Sequence, residues 1–99
     1  MFEFIDIETI NYYKKAEEKV ILFFETPWCD ECESFLAKIT NSKDYLEGIP
    51  VYRVEMDLDG GDFIRKKFKI ESTPTAILFS KGKEDKRTSS EELFSELLS

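Results

Sequence analysis

The spacing of apolar residues changes several times along the chain, and each change marks an element. Residues 2–5 form a short apolar stretch that reads as a first strand. Residues 8–19 predict a helix, with Ile10, Tyr13 and Ala16 or Glu17 at helical spacing and Lys14, Lys15 and Glu18 outward. Residues 20–24, Val-Ile-Leu-Phe-Phe, are apolar without a break, as a strand buried on both faces requires. Thr26-Pro27 ends that run. Cys32, Phe35, Leu36 and Ile39 then recur at i, i+3, i+4 and i+7, which predicts a helix with a stripe facing the core. Asn41-Ser42 interrupts it, and Tyr45-Leu46 starts a last turn before Gly48 and Pro50.

Residues 51–57 set apolar Val51, Val54 and Met56 among polar Arg53 and Glu55, a third strand. Gly60-Gly61 reads as a loop, and Asp62 as the N-cap of a short helix containing Phe63, Ile64 and Phe68. Residues 75–79 predict a fourth strand turning at Lys81-Gly82. Residues 83–88 carry the charges with which an edge strand avoids pairing with another chain. Ser89-x-x-Glu92 reads as a capping box before Leu93, Phe94, Leu97 and Leu98, an amphipathic last helix. The order βαβαβαββα implies an α/β domain with a mixed central sheet and helices on both faces. Strands two and three should be parallel through a right-handed crossover, and the last two antiparallel.

Composition narrows the classes. Ninety-nine residues with nine Phe, four Tyr and one Trp supply one core, so residues 1–99 are expected to form a single domain. A net charge of −7 argues against a nucleic-acid binder, which must neutralise phosphates. No run approaches the roughly 20 apolar residues of a membrane span. Met1-Phe2-Glu3-Phe4-Ile5-Asp6 has acids where a signal peptide carries basic residues, so a cytoplasmic protein is expected, and it is taken to be a monomer. Arg65, Lys66, Lys67 and Lys69 read as a solvated helix face.

The chemistry concentrates in Trp28-Cys29-Asp30-Glu31-Cys32, which holds both cysteines of the chain. Following the apolar run, the segment reads as strand, turn, then a helix whose first turn carries both thiols. Residues three apart share a helix face, close enough for their sulfurs to join. Unpaired N–H groups and the positive end of the helix dipole favour a thiolate at Cys29, and a thiolate is what attacks a disulfide. Cys29 is thus the expected nucleophile and Cys32 the resolving thiol, with no cofactor beyond the pair itself. Two other uses stay open. Cysteines bury well as inert core residues. Zinc needs four ligands, and with no His and no second Cys pair only a dimer sharing two pairs would supply them.

With these parts in place the chain resembles the thioredoxin family over roughly residues 2–98. The likeness rests on the Trp-Cys-x-x-Cys helix start, the strand ending in Asp57, the Ser72-Thr73-Pro74-Thr75 step into an apolar strand, and the Lys81-Gly82-Lys83 turn. The resemblance implies a thioredoxin fold and a thiol–disulfide oxidoreductase that reduces protein disulfides through a mixed disulfide on Cys29. It implies that Thr73–Pro74 is cis and packs against the dithiol, and that the Thr73 backbone pairs with an extended substrate segment. By the same resemblance Trp28 shields the disulfide and contacts substrate, and Asp57 positions the active-site loop. A trans turn at Pro74, simple packing at Trp28 and a solvated carboxylate at Asp57 are the plain alternatives. The partners implied are disulfide-containing proteins and a thioredoxin-reductase-like electron donor. A thioredoxin-fold binding module with a slow or vestigial dithiol is the alternative function.

The chain also departs from the family. Phe23 stands where thioredoxins usually place a buried Asp, six residues before the first cysteine, and Phe cannot take a proton. Arg53 is then expected to lack that partner, and either Glu25 or a water takes over or exchange is slower. Ala37 replaces the helix-kinking Pro. Asp30-Glu31 between the cysteines are redox-tuning candidates. At roughly 7–8 Å each acid opposes a Cys29 thiolate by about 2 kcal/mol at an effective dielectric of 20. The helix terminus offers about 0.3–2 kcal/mol in the other direction. The acids thus offset the helix, which predicts a reductant. An acidic rim of Glu25, Asp30, Glu31 and Glu33 fits a partner with basic residues near its disulfide.

Overall fold

A computed structural model of the chain describes residues 2–16, 18–42, 46 and 48–98. Met1, the Ala16 side chain, Glu17 and Tyr45, used in the sequence reading, lie outside the described residues. The elements in chain order are β1 (Glu3–Phe4), a 3-10 turn (Ile7–Thr9) continuing into α1 (Ile10–Ala16), β2 (Lys19–Glu25), α2 (Asp30–Asn41), β3 (Val51–Glu55), α3 (Gly61–Lys67), β4 (Thr75–Ser80), β5 (Lys83–Thr88), and a second 3-10 turn (Glu91–Leu93) continuing into α4 (Phe94–Leu97).

The unbroken apolar run becomes the middle of a five-stranded sheet ordered β1-β3-β2-β4-β5. β1 and β2 run parallel to β3, β4 runs antiparallel to β2, and β5 antiparallel to β4. Alternate residues of β2 serve opposite faces, as strand geometry demands. Val20, Leu22 and Phe24 pack with Ile10 of α1, with Ile64 of α3 and with Phe68 just beyond it. Ile21 and Phe23 pack with Cys32, Phe35 and Ile39 of α2 and with Phe94 and Leu97 of α4. The Phe35 ring lies edge-on to Phe23 at 5.3 Å and to Phe94 at 5.8 Å between centroids. These are the helices on both faces of a mixed sheet that the element order predicts.

Three local expectations change. The first helix stops at Ala16, because Glu18 O already accepts the Lys81 N–H at 2.8 Å and Lys19 pairs with Ser80 in the sheet. Asp62 is not the N-cap of α3; Gly60 is, at φ 92°, a left-handed conformation suited to glycine, and Asp62 sits in the first turn where its charge suits the helix dipole. The Ser89-x-x-Glu92 box does not form. The Ser89 hydroxyl instead shares a hydrogen bond with Thr75 at 2.9 Å, and Ser90 is the residue that precedes the 3-10 turn.

The end of α3 is fixed from across the sheet. Lys69 adopts φ 54°, and the Ile70 N–H reaches back to Arg65 O at 2.8 Å, closing the helix in a Schellman turn. The Arg87 guanidinium of β5 donates to the carbonyls of Phe68 and Lys69 at 2.7 and 3.1 Å and grips the Glu84 carboxylate through two bonds. A cation at a helix C-terminus satisfies orphan carbonyls there.

Candidate active site

The site forms where β2 ends and β4 begins, neighbours because Phe24 pairs with Thr75. Leaving β2, the chain turns through Pro27 and Trp28. Trp28 takes φ 56°, a conformation rare for a large side chain, and the residue is 93% exposed. Cys29 is the N-cap of α2: its carbonyl accepts the N–H groups of Cys32 and Glu33 at 3.1 and 3.2 Å, and its Sγ accepts the Cys32 N–H at 3.1 Å. Sulfur therefore occupies the place where helix-start donors and dipole favour negative charge.

Cys29 and Cys32 are joined by a disulfide, with Cα atoms 5.1 Å apart. Their environments differ. Cys29 is half-buried at the rim, whereas Cys32 is 3% exposed and packs beside Phe23 and Phe35. The Thr73–Pro74 bond is cis, as the resemblance implied, and Pro74 is buried. Thr73 O lies 4.0 Å from Cys29 Sγ, and the Thr73 hydroxyl shares a 3.1 Å hydrogen bond with Thr26. Thr26 was not singled out from the sequence; this bond ties the turn before the cysteines to the proline loop.

Asp30 and Glu31 are exposed in the first turn of α2. Glu31, Pro74, Glu91 and Glu92 border a shallow cavity of about 280 Å³. Glu91 is held by the Ser34 hydroxyl, which donates to it at 2.7 Å. Asp57 is exposed past the end of β3, where its N–H donates to Glu55 Oε2 at 2.8 Å. A second cavity of about 240 Å³ beside the disulfide is bordered by Glu55 rather than Asp57.

In that second cavity Arg53 pairs with Glu25, one of the alternatives to the missing Asp: its Nε and Nη2 donate to the two oxygens of Glu25 at 2.8 and 2.7 Å. Glu25 is 7% exposed, and the Phe4 ring covers the guanidinium at 4.0 Å. Hydrogen bonding to Glu25 holds the Arg53 guanidinium above its ordinary value, and the Glu25 and Glu55 charges act in the same direction. Glu25, Arg53, Cys29 and Cys32 all line this one cavity. The signal was present in the sequence, since Glu25 shares a strand face with Phe23, but the pair needed the β2–β3 register to be read.

Among the described residues there is no group of three or more His, Cys, Asp or Glu that could hold a metal, and no helix long and apolar enough to cross a membrane.

Comparison with known proteins places this geometry. The chain is 32% identical to protein disulfide-isomerase 1 of Caenorhabditis elegans over 83 residues, 82% of this chain and 16% of that protein. It is 30% identical to the chloroplastic 5'-adenylylsulfate reductase 3 of Arabidopsis thaliana over 77% of this chain and 17% of that protein. It thus spans under a fifth of the length of either relative. The solution structure of the oxidised thioredoxin from Plasmodium falciparum superposes with a TM-score of 0.82 at 16% identity, covering 99% of this chain and 95% of that one. The thioredoxin family model matches residues 7–99, and the chain belongs to the thioredoxin family.

Proposed function

We propose that the chain is a thiol–disulfide oxidoreductase that reduces protein disulfides. The observation that carries this reading is the Cys29–Cys32 disulfide at the start of α2, with Cys29 Sγ at the rim and 4.0 Å from the Thr73 carbonyl. In the reduced protein the Cys29 thiolate attacks a substrate disulfide, forming a mixed disulfide and releasing one substrate thiol. Cys32 then attacks Cys29 Sγ, closing the Cys29–Cys32 bond and releasing the second thiol. Two electrons pass to the substrate, and a thioredoxin-reductase-like donor or a small dithiol restores the pair. Thr73 O beside the sulfur and the exposed Trp28 indole offer an extended substrate segment a backbone partner and an apolar contact. The carboxylates of Glu31, Glu91 and Glu92 beside Pro74 favour a substrate with Lys or Arg near its disulfide.

Turbidimetric reduction of insulin by dithiothreitol tests the reading. Catalysis by the wild type and none by Cys29→Ser are expected; equal rates with and without protein overturn it. One observation favours the second reading, a binding module with a slow dithiol: Phe23, fully buried in the same core cluster as Cys32, leaves no acid at that position of β2. Under it, the chain binds peptides beside Pro74 with the same affinity whether Cys29 is Cys or Ser, and insulin reduction stays at background.

A further inference from the structure

Cys32 must lose a proton to attack the mixed disulfide, and its surroundings resist that. It is 3% exposed among Phe23, Phe35 and Ile39, and burial disfavours the charged thiolate. The chain has no His to act as base. Cys32 lines the cavity beside the disulfide, whose charged borders are Glu25 of β2, Glu33 of α2, and Arg53 and Glu55 of β3. Phe4 of β1 and the Thr26-Pro27-Trp28 turn add no titratable group there. Glu33 is exposed, and Glu55 is half-buried with one oxygen bonded to the Asp57 N–H. Glu25 is the buried carboxylate, on the strand face it shares with Phe23.

We propose that Glu25, positioned by Arg53, takes the Cys32 proton during the resolving step, across the cavity both residues line. The inference rests on the dithiol reading above. Arg53 uses one acceptor site on each Glu25 oxygen, and a carboxylate has about four, so acceptor capacity remains. A cavity of about 240 Å³ has room for a bridging water, and proton transfer through one water is within the reach of a general base. The Cys32 S–H gives its proton to Glu25, the sulfur's electron pair forms the bond to Cys29 Sγ, and the Cys29–substrate S–S bond breaks. The departing substrate thiolate collects a proton, Glu25 returns its own to solvent, and the carboxylate is regenerated. Arg53 is a positioning residue: its two bonds fix the carboxylate in place.

The test follows the resolving step after mixing reduced protein with a peptide disulfide, quenching in acid and weighing the intact mixed disulfide. Glu25→Gln is expected to prolong the mixed disulfide by at least about tenfold near pH 7, and by progressively less as the pH nears about 9, where thiols ionise to solvent unaided. Arg53→Gln removes both bonds that fix the Glu25 carboxylate, so the resolving step should slow near pH 7 and recover toward about pH 9, as in Glu25→Gln. A merely structural role slows the step by one factor at every pH. That result, or an unchanged rate in Glu25→Gln, overturns the proposal. A measurement on the unaltered protein stands beside the variants. The ¹³C shift of the Glu25 carboxyl should show an inflection on titration of Cys32 in the reduced protein and none in the oxidised protein; identical curves overturn the proposal. Cys32→Ser separates the two levels: if it traps no mixed disulfide on Cys29, the oxidoreductase reading falls and this inference with it. If it traps one and the pH profile of Glu25→Gln is flat, only the role of Glu25 falls.

Discussion

Asp30 and Glu31 set two exposed carboxylates in the helix turn whose dipole and N–H groups hold the Cys29 sulfur. Their repulsion and the helix-terminus attraction are of similar size, so removing the acids should leave the attraction unopposed. Asp30→Asn with Glu31→Gln is expected to move the ultraviolet thiolate absorbance of reduced Cys29 to lower pH, and to make the pair more oxidising. An unshifted titration contradicts that role. Several of these residues were legible as a string of letters: Cys29, Cys32 and Trp28 as one motif, Thr73-Pro74 as another. The Glu25–Arg53 pair was one alternative among several, because its members lie 28 positions apart and meet only once β3 lies parallel to β2 with Phe23 opposite Arg53. Breaking a largely buried pair from one side leaves a charge uncompensated, and Arg53→Gln is expected to lower stability by about 3 kcal/mol in denaturant titration.

At the scale of elements, α3 and β5 depend on each other through Arg87. The bond from Arg87 holds Glu84 below the usual carboxylate range, so the pair contributes above the ordinary Glu value and its contribution is lost as the pH falls through the lowered one. Both side chains are partly exposed, at 31% and 40%, which limits the effect to about 0.5 kcal/mol. Glu84→Gln should therefore be less stable than wild type near neutrality and equal to it in acid. Lys69 closes α3 in a left-handed conformation that glycine adopts without cost, so Lys69→Gly should stabilise by about 0.5–1 kcal/mol in thermal melts. Most strand and helix identities followed from apolar period, and residues 20–24 read as a central strand. Boundaries did not. The first helix ended early because the sheet claimed Lys19 and Glu18 O, and the capping box failed because Thr75 took the Ser89 hydroxyl. Both are tertiary partners that no local window contains.

For the whole molecule, the sheet order brings the cysteine turn after β2 and the cis-proline loop before β4 to one end of the sheet, over cores that hold both in place. The net charge of −7 and the carboxylates beside Pro74 predict that reduction of a Lys/Arg-flanked peptide disulfide slows with added salt, and reduction of an acid-flanked one does not. Equal salt dependence removes charge from partner choice. The central claim is that Cys29 and Cys32 interconvert between dithiol and disulfide. Equilibration in a graded series of dithiothreitol redox buffers, read by thiol alkylation and mass, tests it most directly. The account predicts a single two-electron transition joining Cys29 to Cys32, in which each ~30 mV changes the ratio tenfold. Cysteines that stay in one state across the whole series would contradict it.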